Sequence, residues 1–297
     1  MKTGISITAW YKFTPLEEGT LSSLQKELQT FGKAKRMRGL VLLAEEGVNG
    51  TVCGLASAIQ EWKQLMQKHF GEIVFKDSFA EEYVFPRWFV KVRPEVVALK
   101  NTDIRPSEEH HHLSPEEWHD ALEEDVVVLD TRNDYETEIG MFAKAVDLEM
   151  QSFKDFPWAV QKAEIPKDKK VLLYCTGGIR CEKALLEMEK QGYTNVYQLQ
   201  GGILAYLRKF PHQKFDGECF VFDHRVSVDQ ELRPSQKYKL CPHCGDPGNC
   251  AVSCLRCGRD RIICTECHKK THLQTCSKDC TYHLQRRSDA NFSIQKH

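Results

Sequence analysis

The segment YCTGGIRCEKA, Tyr174–Ala184, ends an apolar run on a cysteine, passes two glycines and an arginine, and resumes with a helical pattern. Each residue type here has a chemical consequence. Two glycines let the chain curl until amide N–H groups converge on one point. The start of a helix adds unpaired donors and positive partial charge. An anion on the sulfur of Cys175 is stabilised by both, so its thiol should ionise below the usual value. Cys175 is therefore the candidate nucleophile. Thr176, Gly177, Gly178 and Ile179 form the loop that would cradle an anion or adduct, and Arg180 supplies a cation. The C-x4-R spacing is one residue shorter than the C-x5-R loop that holds a tetrahedral phosphate. It suits a single added sulfur atom, a persulfide, and disfavours a phosphatase. Cys181, in the first helical turn, is a candidate resolving thiol, or else a small packing residue.

The chain has 13 cysteines, nine of them between Cys241 and Cys280. Cys241-x2-Cys244, Cys254-x2-Cys257 and Cys264-x2-Cys267 are three C-x2-C knuckles, with Cys250, Cys276 and Cys280 besides. Tetrahedral thiolate sites favour Zn²⁺. Eight thiolates suffice for two structural zinc ions, and His243, His268 or His272 is an alternative donor. An iron–sulfur cluster fits the spacings less well. Structural zinc keeps no open position, so this cluster is not assigned to catalysis.

The elements that must position these groups are legible from periodicity. Residues 5–13 alternate as a strand, and 15–32 carry apolar residues at helical spacing up to Gly32. Residues 38–54 suggest two strands joined around Gly47–Gly50, with Asn49-Gly50 as the turn. A helix over 55–70 and strands in 72–79 and 87–99 complete a β-α-β-β-α-β order, a ferredoxin-like α+β domain over residues 1–100. Residues 101–113 form a polar linker, with His110, His111 and His112 read as solvated. Ser114, Pro115 and Glu117 start a helix with a capping box. Strands 126–130, 169–175 and 195–200 alternate with helices, implying a parallel α/β sheet covered on both faces over residues 114–215. Residues 216–297 are the cysteine-rich region, with a polar tail past 285 expected to fray.

The N-terminus has no signal-peptide layout and no apolar run approaches the roughly 18 residues of a membrane span. A cytoplasmic protein with no membrane partner is expected, its cysteines reduced. The net charge of −1 hides a segregation: residues 101–240 carry 26 Asp and Glu against 18 Lys and Arg, while both flanks are mildly basic. There is no 2-His-1-carboxylate pattern, dinucleotide fingerprint or haem motif, so no organic cofactor is evident.

The cysteine loop, together with VVVLDTRNDYETEIG and VYQLQGGILAY, resembles the rhodanese family. Asp130, Arg132, Tyr135, Glu136 and Gly140 match its early signature, and Gly201 and Gly202 its closing double glycine. Met141 stands where that family usually has histidine. Asp130, Arg132 and Glu136 read mainly as scaffold. With a ferredoxin-like front, FVFDHR at 220–225 and CPHCG after it, nearly the whole chain resembles the tRNA uridine(34) hydroxylase family of rhodanese-related proteins. That resemblance implies conversion of wobble uridine in tRNA to 5-hydroxyuridine with molecular oxygen as co-substrate, and it places the essential cysteine on Cys175. It also leaves Cys254 as the spare thiol, with Cys241, Cys244, Cys250, Cys257, Cys264, Cys267, Cys276 and Cys280 as zinc ligands. The tRNA anticodon region would meet Lys33, Lys35, Arg36, Arg38, Arg256, Arg259 and Arg261. Trp10, Tyr11, Trp88 and Phe89 are the aromatics available for stacking. An unidentified electron or sulfur donor is implied as a partner. Two other readings stand beside it: a rhodanese sulfurtransferase carrying a cysteine persulfide, and a zinc-stabilised binding module with an inert rhodanese fold.

Overall fold

A computed structural model describes residues 4–101, 103–106 and 111–294, with Glu18 and residues 287–294 followed by their backbone path. The chain divides into two compact units. The first holds the residues up to Cys219 with Gln230–Leu232, and the second holds Phe220–Asp229 with the residues from Arg233 onward. The segments read as a ferredoxin-like domain and an α/β domain thus belong to one unit.

Strand β1 (Ile5–Phe13), helix α1 (Glu18–Ala34), strands β2 (Arg38–Ala44) and β3 (Gly47–Gly54), helix α2 (Ala56–Phe70) and strands β4 (Lys76–Ala80) and β5 (Trp88–Val92) build the first layer pair. The sheet order β4-β1-β3-β2 is that of a ferredoxin-like sandwich, extended by β5 parallel to β2. Trp10, Leu28, Val41, Trp62, Met66 and Trp88 fill the core between sheet and helices. Alternation along β1 then sends Ile5 and Ile7 to the opposite face.

Two local expectations are corrected. Helix α1 runs past Gly32 to Ala34, because this glycine is a point of close approach: a Cβ there would lie 2.1 Å from Trp88 Cε2. Gly32→Ala is therefore expected to cost about 1–3 kcal/mol through overpacking. Thermal denaturation checks it, and an unchanged melting temperature would show that the indole yields freely. Asn49-Gly50 is not the hairpin turn, since Ala44 pairs with Gly47 and leaves Glu45 and Glu46 to turn the chain.

The second layer system contains β6 (His112–Leu113), α3 (Pro115–Ala121), β7 (Val126–Asp130), α4 (Asp134–Thr137), β8 (Gly140–Phe142), β9 (Val146–Asp147), α5 (Phe156–Lys162), β10 (Lys170–Tyr174), α6 (Ile179–Lys190), β11 (Val196–Leu199), α7 (Gly202–Lys209) and β12 (Phe215–Gly217). The capping box at Ser114 and Glu117 is present. The sheet order is β6-β11-β10-β7-β9, and every neighbouring pair is parallel. Val171, Leu173 and Cys175 point into the core with α5 and α6. On the opposite face Tyr174 meets Phe142 and Trp118, and Phe142 also meets Tyr206 of α7 and Phe215.

His111 is exposed, whereas His112 is half-buried and is not a solvated linker residue. His111 Nδ1 contacts the Val196 carbonyl at 3.0 Å, and His112 Nε2 contacts Glu182 Oε1 at 3.1 Å. His112 sits on the edge strand that extends the sheet, with His111 just before it, which the short run HL did not announce. His110 lies outside the described residues.

In the second unit, Cys250–Ser253 and Asp260–Ile263 form an antiparallel hairpin. A helix spans Lys278–Ile294, so the tail expected to fray past 285 continues a helix free of Pro and Gly. No helix among the described residues is long and apolar enough to cross a membrane.

Candidate active site

Cys175 stands where β10, the middle strand of its sheet, gives way to α6. Ligands of open parallel sheets gather at this end of the strands. Its side chain is buried at 1% exposure. The Gly178 N–H donates to Cys175 Sγ at 3.0 Å. The double glycine closes the loop from the other side. Gly202 has φ +68° and a Cβ there would lie 2.5 Å from the Cys175 carbonyl, which instead accepts from the Ile203 N–H at 3.0 Å. A side chain at 202 would push α7 off the loop.

Burial alone raises the Cys175 thiol's pKa. The Cys181 thiol, the Arg180 charge and backbone amides of Arg180 and Gly177 outweigh it and bring the pKa down to about 5. Burial and the adjoining Cys175 push Cys181 the other way, so it keeps its proton. The pair therefore rests as one thiolate and one thiol in contact. Cys181 Sγ also lies 3.7 Å from Thr131 Oγ1.

Arg180 is held by Glu136, a residue whose sequence context reads mainly as scaffold. Glu136 accepts from Arg180 Nη1 at 2.5 Å and from Nη2 at 2.8 Å, and it also accepts from Thr176 Oγ1 at 3.3 Å. Burial opposes the charge on Glu136, yet Arg180 holds its carboxyl below the ordinary range. Asp130 and Arg132 do match the scaffold reading: both are fully buried and paired, and Arg132 Nη2 also donates to the Gly140 carbonyl at 2.6 Å. That bond ties the strand carrying Met141 to the buried Asp130–Arg132 pair.

Side chains from the first sheet reach this site, and no sequence motif marks them. Tyr11 Oη donates to Glu182 Oε1 at 2.8 Å, and Lys76 Nζ donates to the Gly177 carbonyl. Gln198 Nε2 donates to Glu182 Oε2 at 2.9 Å. Farther along α6, Lys183 is fully buried between Glu46 at 2.8 Å and Glu95 at 2.6 Å. A buried ammonium needs such partners, so these pairs secure the nucleophile's helix to the first sheet.

The expected RNA contacts are divided between the two units. Lys33, Arg36 and Arg38 are exposed, Arg38 lies over the Tyr83 ring at 4.4 Å, and Lys35 pairs with Glu61 at 2.5 Å. In the second unit Arg259 and Arg261 are exposed and Arg256 is half-buried. Trp10 and Trp88 belong to the core and Tyr11 is bonded to Glu182, so Phe89, 41% exposed, is the member of the expected aromatic set open to stacking.

Among the described residues, two groups of four cysteines could each hold a metal ion. They are Cys241, Cys244, Cys264 and Cys267, and Cys254, Cys257, Cys276 and Cys280. Sulfur separations of 3.5 and 3.8 Å in the first and 3.5, 3.6 and 3.8 Å in the second fit the edges of a tetrahedron, about 3.8 Å for a Zn–S bond of about 2.3 Å. This corrects the ligand assignment: Cys254 is a member and Cys250 is the spare thiol. The hairpin explains it. Cys250 and Cys254 lie at opposite ends of one strand, and Cys250 Sγ turns to Asn249 Oδ1 and Thr265 Oγ1. His243 contacts the Thr275 carbonyl instead of joining a group.

Residues 5–96 match the model of the UPF0176 acylphosphatase like domain, 114–209 the rhodanese-like domain and 216–281 the rhodanase C-terminal region. Relatives named tRNA uridine(34) hydroxylase match over most of their length. The one from Bdellovibrio bacteriovorus is 44% identical over 94% of this chain and 81% of its own. The one from Synechocystis sp. is 40% identical over 81% of this chain and 88% of its own. The one from Shouchella clausii is 37% identical over 95% of this chain and 90% of its own. Sheet topology, cysteine loop and sulfur clusters are thus accompanied by likeness along nearly the entire sequence, and the chain belongs to the tRNA uridine(34) hydroxylase family.

Proposed function

We propose that this protein hydroxylates the wobble uridine of tRNA, uridine 34, to 5-hydroxyuridine, with molecular oxygen as co-substrate and Cys175 as the reacting group. The observation that carries the reading is a buried, amide-cradled Cys175 thiolate in a chain about 40% identical to relatives of that name. Thr176, Gly177, Gly178 and Ile179 form the cradle, and Arg180, held by Glu136, supplies its charge. Zinc in the two cysteine groups holds the second unit together. Lys33, Lys35, Arg36, Arg38, Arg256, Arg259 and Arg261 contribute phosphate contacts. The protein works in the cytoplasm.

Electron balance gives Cys181 a role. Inserting one atom of oxygen into a C–H bond while the other leaves as water consumes two electrons and two protons. Joining the Cys175 thiolate and the Cys181 thiol in a disulfide releases the two electrons and one proton, solvent water supplies the second proton, and an external thiol reductant then restores the pair. The contact between the two sulfurs supports Cys181 as the resolving thiol. The loop equally suits a persulfide, so sulfur transfer is the second reading.

The test is nucleoside mass spectrometry on unmodified tRNA incubated with the protein and a thiol reductant, with and without oxygen. A gain of one oxygen on uridine 34, dependent on oxygen, is expected. A gain of sulfur, or thiosulfate–cyanide sulfur transfer with unchanged tRNA, would establish the sulfurtransferase instead.

A further inference from the structure

The peptide unit joining Gly177 to Gly178 is bonded at both ends. Its N–H donates to Cys175 Sγ at 3.0 Å, and its carbonyl accepts from Lys76 Nζ. Lys76 comes from β4 of the other sheet. Register brings it there: Lys76 pairs with Ala9, and Tyr11 lies two residues on, on the same face of β1. Lys76 Nζ accordingly sits 4.7 Å from the centre of the Tyr11 ring, and Tyr11 is itself fastened to Glu182 of α6.

We propose that Lys76 is a positioning residue for Cys175: its ammonium polarises the Gly177–Gly178 peptide, so that the Gly178 N–H binds the thiolate more strongly. The acylphosphatase-like sheet thereby tunes the sulfur of the rhodanese-like sheet. The physical basis is cooperative. A charged donor makes the stronger hydrogen bond, and a carbonyl so bonded leaves its amide N–H more positive. The inference rests on Cys175 as the reacting group, but not on the identity of the substrate.

The charged and titratable groups around the relay are Arg180, Cys181, Glu182, Tyr11 and Cys219. Burial draws the Lys76 ammonium down to about 8, against Cys175, Glu182 and Cys181, which hold it up. Its charge is present at neutral pH and fades above that value, so the support it gives the thiolate fades with it.

The experiment is a thiolate titration of the full-length, metal-loaded protein, read as absorbance near 240 nm against a Cys175→Ser reference that cancels the other sulfurs. Lys76→Met should raise the Cys175 pKa by about one unit, the low end of what an opposite charge achieves nearby. Lys76→Arg, which keeps charge and donor, should restore the wild-type curve. Lys76→Gln, a neutral donor, should fall between them, and with Lys76→Arg it carries the comparison if Lys76→Met does not fold. A Cys175 pKa unchanged in the neutral variants, or shifted equally in Lys76→Arg and Lys76→Gln, overturns the relay. Absence of any Cys175 thiolate signal in the wild-type protein would instead overturn the nucleophile assignment on which it rests.

Discussion

Replacing Cys175 by serine is expected to abolish uridine hydroxylation while leaving the protein folded. The loss should be roughly 10³-fold or more, the scale on which removal of a covalent nucleophile is felt. Serine is near-isosteric and can still accept from the Gly178 N–H, so the loop keeps its bond. Because the thiolate is favoured over about two pH units at neutral pH, the change in stability there should be about 2–3 kcal/mol. That difference has a defined pH dependence. Cys175 is lowered to about 5, against about 8.5 for a free thiol. A depressed pKa contributes stability that is fully present above the unfolded value and is lost as pH falls through the folded one. The gap in melting temperature between wild type and Cys175→Ser should therefore narrow from pH 8 toward pH 5. Cys181, raised by burial, enters only above the free thiol value, outside this window. Single-turnover mass spectrometry of the nucleoside and paired thermal melts check both parts. Full activity in Cys175→Ser would remove Cys175 from the chemistry.

The second large effect concerns metal. Cys254→Ser is expected to retain one of two zinc equivalents by elemental analysis, and Cys244→Ser likewise, because each belongs to a different group of four. Cys250→Ser should retain both. For small zinc-bound modules the binding free energy, about 10–16 kcal/mol, is folding free energy. The Cys254 and Cys244 variants should therefore expose the second unit to limited proteolysis, whereas Cys250→Ser should not. If Cys250→Ser lost a zinc equivalent and Cys254→Ser did not, the grouping of the sulfurs would be wrong and the ligand set expected from family resemblance restored.

What the sequence determined by itself was local. The order of strands and helices, the capping box at Ser114 and the Cys175–Arg180 loop depend on residues within a few positions of one another, so spacing and residue type suffice to read them. Likewise three C-x2-C knuckles announce metal without any fold. Which sulfurs share an ion is another matter. That choice follows from a hairpin that carries Cys250 and Cys254 to opposite ends of a strand, and spacing is blind to it. The same holds for Gly32, whose meaning lies in the distant Trp88 indole. It holds most of all for the surroundings of Cys175. Glu136 grips Arg180 from 44 residues away, Lys76 reaches the loop across 101, and Tyr11 meets Glu182 across 171. No periodicity links such pairs. Only tertiary packing of two sheets brings them together, because burying the sulfur and its helix forces every charge nearby to find a partner.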